Sequence, residues 1–308
     1  MKVEDIRHIL ILGSGTIGRE IGLQCAIHGY RVILYDVNSR VLEKAVGIIQ
    51  KHITQISTKN QLFQQEIDTI IKRITTIPNP KKAAEHVDLI IESVPEDPKL
   101  KCKVFAQFNQ LCPPHTIFTT TSSFLIPSLL AKATGRPTKF AALHFHPHVW
   151  ESNVVDIMPH PGTSPETIEV LQEFAKRIGQ IPIIITKEHS GYVFNYILSA
   201  MLKAALELKI NNVSTIEDID RSFMGIMKTP IGPFGIMDRI GLDTMYDIVN
   251  FWAKKGDPYR QLQKTAKFLK NFIIKGHYGV KNGKGFYTYP NPRFKRSGFI
   301  EGKIKSKQ

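Results

Sequence analysis

Near its start the chain runs an apolar strand pattern, Ile9-Leu10-Ile11-Leu12, straight into Gly13-Ser14-Gly15-Thr16-Ile17-Gly18, and the next apolar run, Arg31-Val32-Ile33-Leu34-Tyr35, ends on Asp36. Strand, glycine turn, helix and a second strand closed by an acid make a βαβ unit of the kind that binds dinucleotides. Gly13 permits the tight turn, Gly15 lets backbone amides approach a pyrophosphate, and Gly18 lets the helix lie close on the strand with its positive end toward the phosphates. Ser14, Thr16 and Ile17 belong to the same loop. The Asp36 carboxylate accepts hydrogen bonds from a ribose 2′-hydroxyl and repels a 2′-phosphate, which favours NAD over NADP. A glycine-rich turn alone is weak; strand, helix and distant acid together are specific.

The rest of the first half repeats this texture. Short β-like runs at 8–13, 31–36, 73–77, 88–93, 116–121, 140–145, 154–159 and 181–186 alternate with helical stretches. Such alternation predicts a Rossmann-like, doubly wound and mostly parallel sheet with helices on both faces. Between the second and third runs, residues 39–72 are long enough for a helical hairpin, with Asn38 or Ser39 as N-cap and a polar break near Ser57-Thr58-Lys59-Asn60. Its lysines make it either a basic flap over an anionic ligand or an ordinary solvated face. After Thr186 the alternation stops, and Gly191 to Leu208 has helical periodicity. The expected organisation is therefore α/β over 1–188, then an all-helical domain over 189–308. A small helical domain with a long apolar stripe is expected to cover it with a second copy, as a homodimer.

The chain carries 41 basic and 27 acidic residues, a formal charge of +14. Six of those bases lie between Arg293 and Lys307 in a stretch without apolar periodicity, which reads as a solvated basic tail. Basic residues interleaved with exposed aromatics are not evident, so nucleic acid is not the expected partner. No run of about 18 apolar residues points to a membrane. Six residues before the first strand are too few for a signal or transit peptide, and Lys305-Ser306-Lys307-Gln308 is no peroxisomal address. A cytoplasmic protein is expected. Cys25, Cys102 and Cys112 have neither C-x-x-C spacing nor even number, consistent with reduced thiols.

Nicotinamide-dependent oxidation of an alcohol needs a base for the hydroxyl proton, and imidazole serves near neutral pH. The densest histidine cluster is Leu143-His144-Phe145-His146-Pro147-His148. His144 falls at the carboxyl end of a strand, where open α/β sheets bind ligands. It is a catalytic candidate there, or a packed strand-end histidine. The H-x-H-x-H spacing raises a metal site, disfavoured because further ligands at suitable spacings are missing. Asp156, on the neighbouring run, either holds the His144 ring in one tautomer or caps a loop. Thr119-Thr120-Thr121-Ser122-Ser123 ends another run in hydroxyls before Pro127 opens a helix, a place for ligand contacts or for plain N-caps.

These segments stand in one order that resembles the L-3-hydroxyacyl-CoA dehydrogenase family: the glycine loop, Ile91-Glu92-Ser93-Val94-Pro95-Glu96 with Lys101, Thr121-Ser122-Ser123, Leu143-His144-Phe145, Gly191-Tyr192-Val193-Phe194-Asn195, Gly232-Pro233-Phe234 with Asp238 and Gly241-Leu242-Asp243, and Lys281-Asn282-Gly283-Lys284-Gly285-Phe286-Tyr287. The resemblance spans nearly the whole chain. It implies NAD-dependent oxidation of an L-3-hydroxyacyl-CoA to the 3-oxoacyl-CoA, in fatty-acid or butanoate metabolism, with substrate between the two domains. It further implies His144 as general base paired with Asp156, Ser122 (or Ser123, if the register shifts by one) on the substrate oxygen, and Asn195 on the thioester carbonyl. By the same analogy Glu96, Lys101 and Lys281 contact NAD, and Lys51 and Lys59 on the hairpin are candidates for the CoA phosphates.

Three departures cluster at one centre. The family's His-Phe-Phe-Asn-Pro has Pro147 at the Asn position here, its paired glutamate is Asp156, and its Asn before Thr-Ser-Ser is Thr120. The shorter acid requires either closer strands or a longer hydrogen bond. A free 3-hydroxy acid such as carnitine or gulonate is therefore the alternative substrate, and a dinucleotide-binding protein without turnover is the alternative of another class.

Overall fold

The computed structural model describes residues 1–60, 64–255 and 261–303. Among them the strands form one eight-stranded sheet: β1 (His8–Leu12), β2 (Arg31–Tyr35), β3 (Ile74–Thr76), β4 (Leu89–Glu92), β5 (Ile117–Thr120), β6 (Phe140–Phe145), β7 (Val154–Pro159) and β8 (Ile181–Ile184), in the spatial order β3-β2-β1-β4-β5-β6-β7-β8. All neighbours are parallel except β6 and β7, which pair antiparallel. Helices cover both faces, so the central strands are apolar on both sides. Ile9, Leu10, Ile11 and Leu12 are all fully buried, as expected of a parallel sheet. Each such side chain stabilises the fold by about 1.5–3 kcal/mol.

The helices of this unit start where the sequence provides caps. In α1 (Thr16–Ile27) the N-cap is Gly15, whereas α5 (Pro98–Leu111) is capped by Asp97 and α6 (Pro165–Arg177) by Ser164, each with proline opening the first turn. The insertion comprises α2 (Ser39–Asn60) and α3 (Gln64–Lys72), followed by the short α4 (Pro80–Ala83). Asn38 is the cap of α2, its side chain accepting from Arg40 N. The polar break expected near 57–60 does not end the helix there: Thr54 Oγ1 and Ser57 Oγ bond back to carbonyls one turn earlier, and α2 continues through Asn60. The helix expected at Pro127 is only three short 3₁₀ turns between Pro127 and Lys139.

The chain divides into two compact units, Met1–Asn195 and Tyr196–Gln308, the division falling in the first turn of α7 (Phe194–Ile210). The second unit adds α8 (Ile216–Met227), α9 (Pro233–Ile240), α10 (Leu242–Lys255) and α11 (Gln261–Ile274) around a core that includes Leu202, Leu206, Phe234, Met237, Leu242 and Leu269. The two-proline turn opens α9, whose first amides are held by Asp220: Phe234 N and Gly235 N donate to its two oxygens at 2.8 and 3.1 Å.

The basic tail expectation is corrected for residues 293–303. Phe294 and Phe299 are buried in the helical core, Arg293 pairs with Glu217, and Arg221 Nε donates to the Phe299 carbonyl at 2.6 Å. Two aromatics spaced five apart in a polar stretch carry no periodicity, which is why the segment read as solvated. Lys305 and Lys307 lie outside the described residues.

Candidate active site

The glycine loop leaves β1 at Gly13, whose φ of +97° is a left-handed value and whose missing Cβ would meet the Ser93 carbonyl oxygen at 2.8 Å. At Gly18 a Cβ would lie 2.1 Å from the Gly13 carbonyl oxygen, so helix and turn touch only because the residue is glycine. Gly15 differs: a Cβ there meets nothing within 4 Å. The protein's own packing does not require that glycine, and the space before the α1 amides, which no side chain caps, is open. That is the arrangement a pyrophosphate needs. Asp36 closes β2 as expected, accepting from Ser14 N at 3.0 Å and Asn38 N at 2.9 Å. Ser14 is fully buried with its amide committed to Asp36; Thr16 is exposed and Ile17 half-buried. An open amide cradle beside an anchored carboxylate fits NAD.

Four strands along, the antiparallel register sets His144 directly opposite Asp156. His144 Nδ1 lies 3.1 Å from Asp156 Oδ2, both nearly fully buried. The shorter acid reaches its histidine through this cross-strand pairing, at the long end of ordinary N–H···O distances. Its other face is covered by Tyr192, stacked at 4.2 Å between ring centroids and 10° between planes. Tyr192 adopts a left-handed φ of +53° and donates its hydroxyl to the Ser122 carbonyl at 2.7 Å. Burial pushes His144 below its ordinary pKa against the pull of Asp156, with His146 also lowering it. Burial raises Asp156, but its contacts to His144 and His146 outweigh that and hold the carboxyl below its usual value. His144 is therefore the free base near neutral pH.

The serine expectation shifts by one residue. Ser123 Oγ is 3.1 Å from His144 Nε2, whereas Ser122 Oγ donates to Glu96 and accepts from Leu125 N. Ser122 thus ties the loop after β5 to the loop after β4. Lys101 is also brought here, but 1% exposed: its ammonium donates to Glu92 Oε1 at 2.7 Å and the Val94 carbonyl at 3.0 Å, and Glu96 Oε2 lies at 3.4 Å. In this structure the Lys101 ammonium is directed to Glu92, Glu96 and the Val94 carbonyl. Glu92 is wholly buried, and burial raises its pKa despite Lys101 and Thr120. Thr120, standing where the family has Asn, donates to Glu92 Oε2 at 2.6 Å.

Asn195 sits half-buried in the first turn of α7. Lys281, in the second unit, pairs with Asp243. Lys51 is exposed on α2, and the side chain of Lys59 lies outside the described residues. The three histidines of the run do not converge on one point: His148 takes a left-handed φ of +61°, is exposed, and gives its backbone amide to the buried Glu20 at 2.7 Å. That bond anchors the loop that Pro147 changes. His144, His146 and Asp156 do bring ligand-type atoms within 4.8 Å of one another, but the Asp156 oxygen is already shared between the two imidazoles. Sequence reasoning missed Tyr192 and Glu92 as parts of the site. Both lay inside the quoted motifs, but only register and burial show what they touch.

Known proteins match the chain over most of its length. The NAD-binding domain of 3-hydroxyacyl-CoA dehydrogenase matches residues 8–189 and the C-terminal domain of the same family matches residues 191–289. A probable 3-hydroxyacyl-CoA dehydrogenase of Caenorhabditis elegans is 32% identical over 93% of this chain and 97% of its own length. A probable 3-hydroxybutyryl-CoA dehydrogenase of Bacillus subtilis is 29% identical over 92% and 98%. Among solved structures, a diketoreductase described as catalysing reactions of dicarbonyl compounds superposes with a TM-score of 0.85 at 36% identity, covering 92% of this chain and 99% of its own. The chain therefore belongs to the 3-hydroxyacyl-CoA dehydrogenase family of NAD-dependent oxidoreductases.

Proposed function

We propose that the protein oxidises the 3-hydroxyl of an L-3-hydroxyacyl-CoA to the 3-oxoacyl-CoA, with His144 as general base. The observation that carries this is the buried His144–Asp156 pair at the carboxyl end of β6, with Ser123 at the free ring nitrogen. When bound, NAD supplies the acceptor for the hydride leaving C3. His144 Nε2 takes the hydroxyl proton while Nδ1–H remains on Asp156, which stabilises the imidazolium and excludes the wrong tautomer. Ser123 Oγ, within reach of the same nitrogen, orients the substrate oxygen. Asn195 binds the thioester carbonyl, and Lys51 and Lys59 grip CoA phosphates, roles supported by the positions these residues share with the family's motif and hairpin.

The decisive assay mixes purified protein, NAD and L-3-hydroxybutyryl-CoA and follows NADH. Turnover that falls by about a thousandfold in His144→Ala is expected; turnover equal in the two proteins would overturn the reading. A second reading, a free 3-hydroxy acid such as carnitine or gulonate, is supported by the three departures around His144, and the 36% identity to a diketoreductase of dicarbonyl compounds leaves room for a substrate other than an acyl-CoA. Running free acids beside CoA esters separates the two. Turnover of either substrate sinks the third reading, a dinucleotide-binding protein without activity. A homodimer is proposed because Phe194, Tyr196 and Ile197 present apolar side chains more than half exposed. A reducing compartment, taken as the cytoplasm, accords with the three unpaired cysteines. Fatty-acid or butanoate metabolism follows from the proposed substrate alone.

A further inference from the structure

His146 occupies the catalytic cluster without a part in the chemistry described above. It follows β6 two residues after His144, on the same side of the sheet, and its ring meets that of His144 edge-on at 4.8 Å. Its Nε2 lies 3.3 Å from Asp156 Oδ2, the oxygen that His144 Nδ1 approaches at 3.1 Å. The nitrogen is buried and not aligned as a hydrogen bond to that oxygen or to anything else. The edge of Phe194 closes the opposite side at 5.4 Å. A ring nitrogen left buried and unaligned destabilises the fold, and an apolar ring at this position would avoid that cost. The nitrogen lies beside the carboxylate on which His144 depends.

We propose that His146 is a positioning residue for the dehydrogenation: it holds Asp156 from just beyond the strand that carries His144, so that a carboxylate one methylene shorter than glutamate stays in place between two imidazoles. The inference rests on His144 being the proton acceptor. Two consequences follow. The side chain of Asp156, restrained by two rings, keeps His144 Nδ1–H in line as the proton arrives on Nε2. The His146 ring, 4.8 Å from that of His144, lowers the basicity of His144, so the acid side of the activity profile sits lower than a lone histidine–aspartate pair would give. The groups facing His144 are Asp156 from β7, His146 beyond β6, Ser123 from the loop after β5, Glu96 from the loop after β4, and Tyr192 ahead of α7. Of these, Asp156 and Glu96 raise its basicity and His146 lowers it. Tyr192 is buried, with its pKa pushed well above the ordinary value, and stays neutral.

The test is the pH profile of kcat/KM with NAD and L-3-hydroxybutyryl-CoA for the wild type, His146→Phe and His146→Asn, or with a free 3-hydroxy acid if that is the substrate. His146→Phe removes both the hold on Asp156 and the imidazole that lowers the basicity of His144: kcat is expected to fall about tenfold with KM for NAD unchanged, and the acid limb to move up by about half a pH unit or more. His146→Asn keeps an N–H toward Asp156 without the imidazole. It should recover most of kcat while keeping the raised acid limb, and it serves alone if the Phe variant does not fold. An acid limb unmoved in the variants, or an Asn variant as slow as the Phe variant, overturns the proposal. Failure of the underlying reading looks different: His144→Ala would then keep its turnover whatever happens at His146.

Discussion

Each unit buries carboxylates, and they are used in opposite ways. In the first, Asp156 faces two imidazoles, His144 and His146, and its pKa is held down. In the second, Asp220 accepts from two backbone amides and the Tyr287 hydroxyl, and Asp238 from Phe286 N, Tyr287 N and the Tyr289 hydroxyl. Burial raises both of these, Asp220 to about 6. A carboxylate whose partners can take up a proton can serve a reaction. One whose partners are backbone amides fixes a chain path. The glycines agree: a Cβ at Gly285 would lie 2.0 Å from Asp238 Oδ1 and one at Gly232 2.5 Å from Asp220 Cγ, while at Gly15 there is open space. The shared motifs of the second unit thus include architecture, and Gly15 in the first keeps room for a ligand. The pH linkage has opposite signs as well. Asp156 contributes stability present above its unfolded pKa and lost as pH falls through its lower folded value; Asp220 loses stability as pH rises from the ordinary aspartate range toward about 6.

The largest effect that bears on this contrast is Asp156→Asn. Loss of the acceptor for Nδ1–H favours the wrong tautomer, and kcat should drop by about a thousandfold, ~4 kcal/mol of barrier, with the fold intact. A rate close to wild type would make Asp156 structural and erase the distinction. Asp238→Ala is the mirror experiment: three buried donors lose their acceptor, and urea unfolding should show a loss of about 3 kcal/mol while the folded fraction keeps its turnover. A stable, inactive variant would break the contrast from the other side. The smallest effect sharpens it at the cofactor. Asp36→Ala should narrow the NAD-over-NADP ratio of kcat/KM by about tenfold, ~1.4 kcal/mol, and a wild type that uses the two equally would refute the reading of Asp36.

Much of this was legible in the chain. The eight strands come where apolar runs alternate with helical ones, because a two-sided parallel sheet demands continuous Ile, Leu and Val, and Gly13, Gly18 and Asp36 announce the dinucleotide fold by backbone needs that only those residues meet. His144 and Asp156 were marked as partners by their places on consecutive strands. Three things were not readable. Which hydroxyl meets His144 depends on one residue of register in the loop after β5, where Ser122 turns to Glu96 and Ser123 to the imidazole. Whether Lys101 faces a ligand or the interior depends on where Glu92 and Glu96 lie. Whether 293–303 floats or packs depends on the core that receives Phe294 and Phe299. Strand identity and backbone freedom are local properties, set by side-chain periodicity and sterics within a few residues. The partner of a buried polar atom is set by the burial and register of segments far apart in sequence, so the second imidazole-to-carboxylate distance, from His146 to Asp156, emerged only when β6 and β7 were side by side.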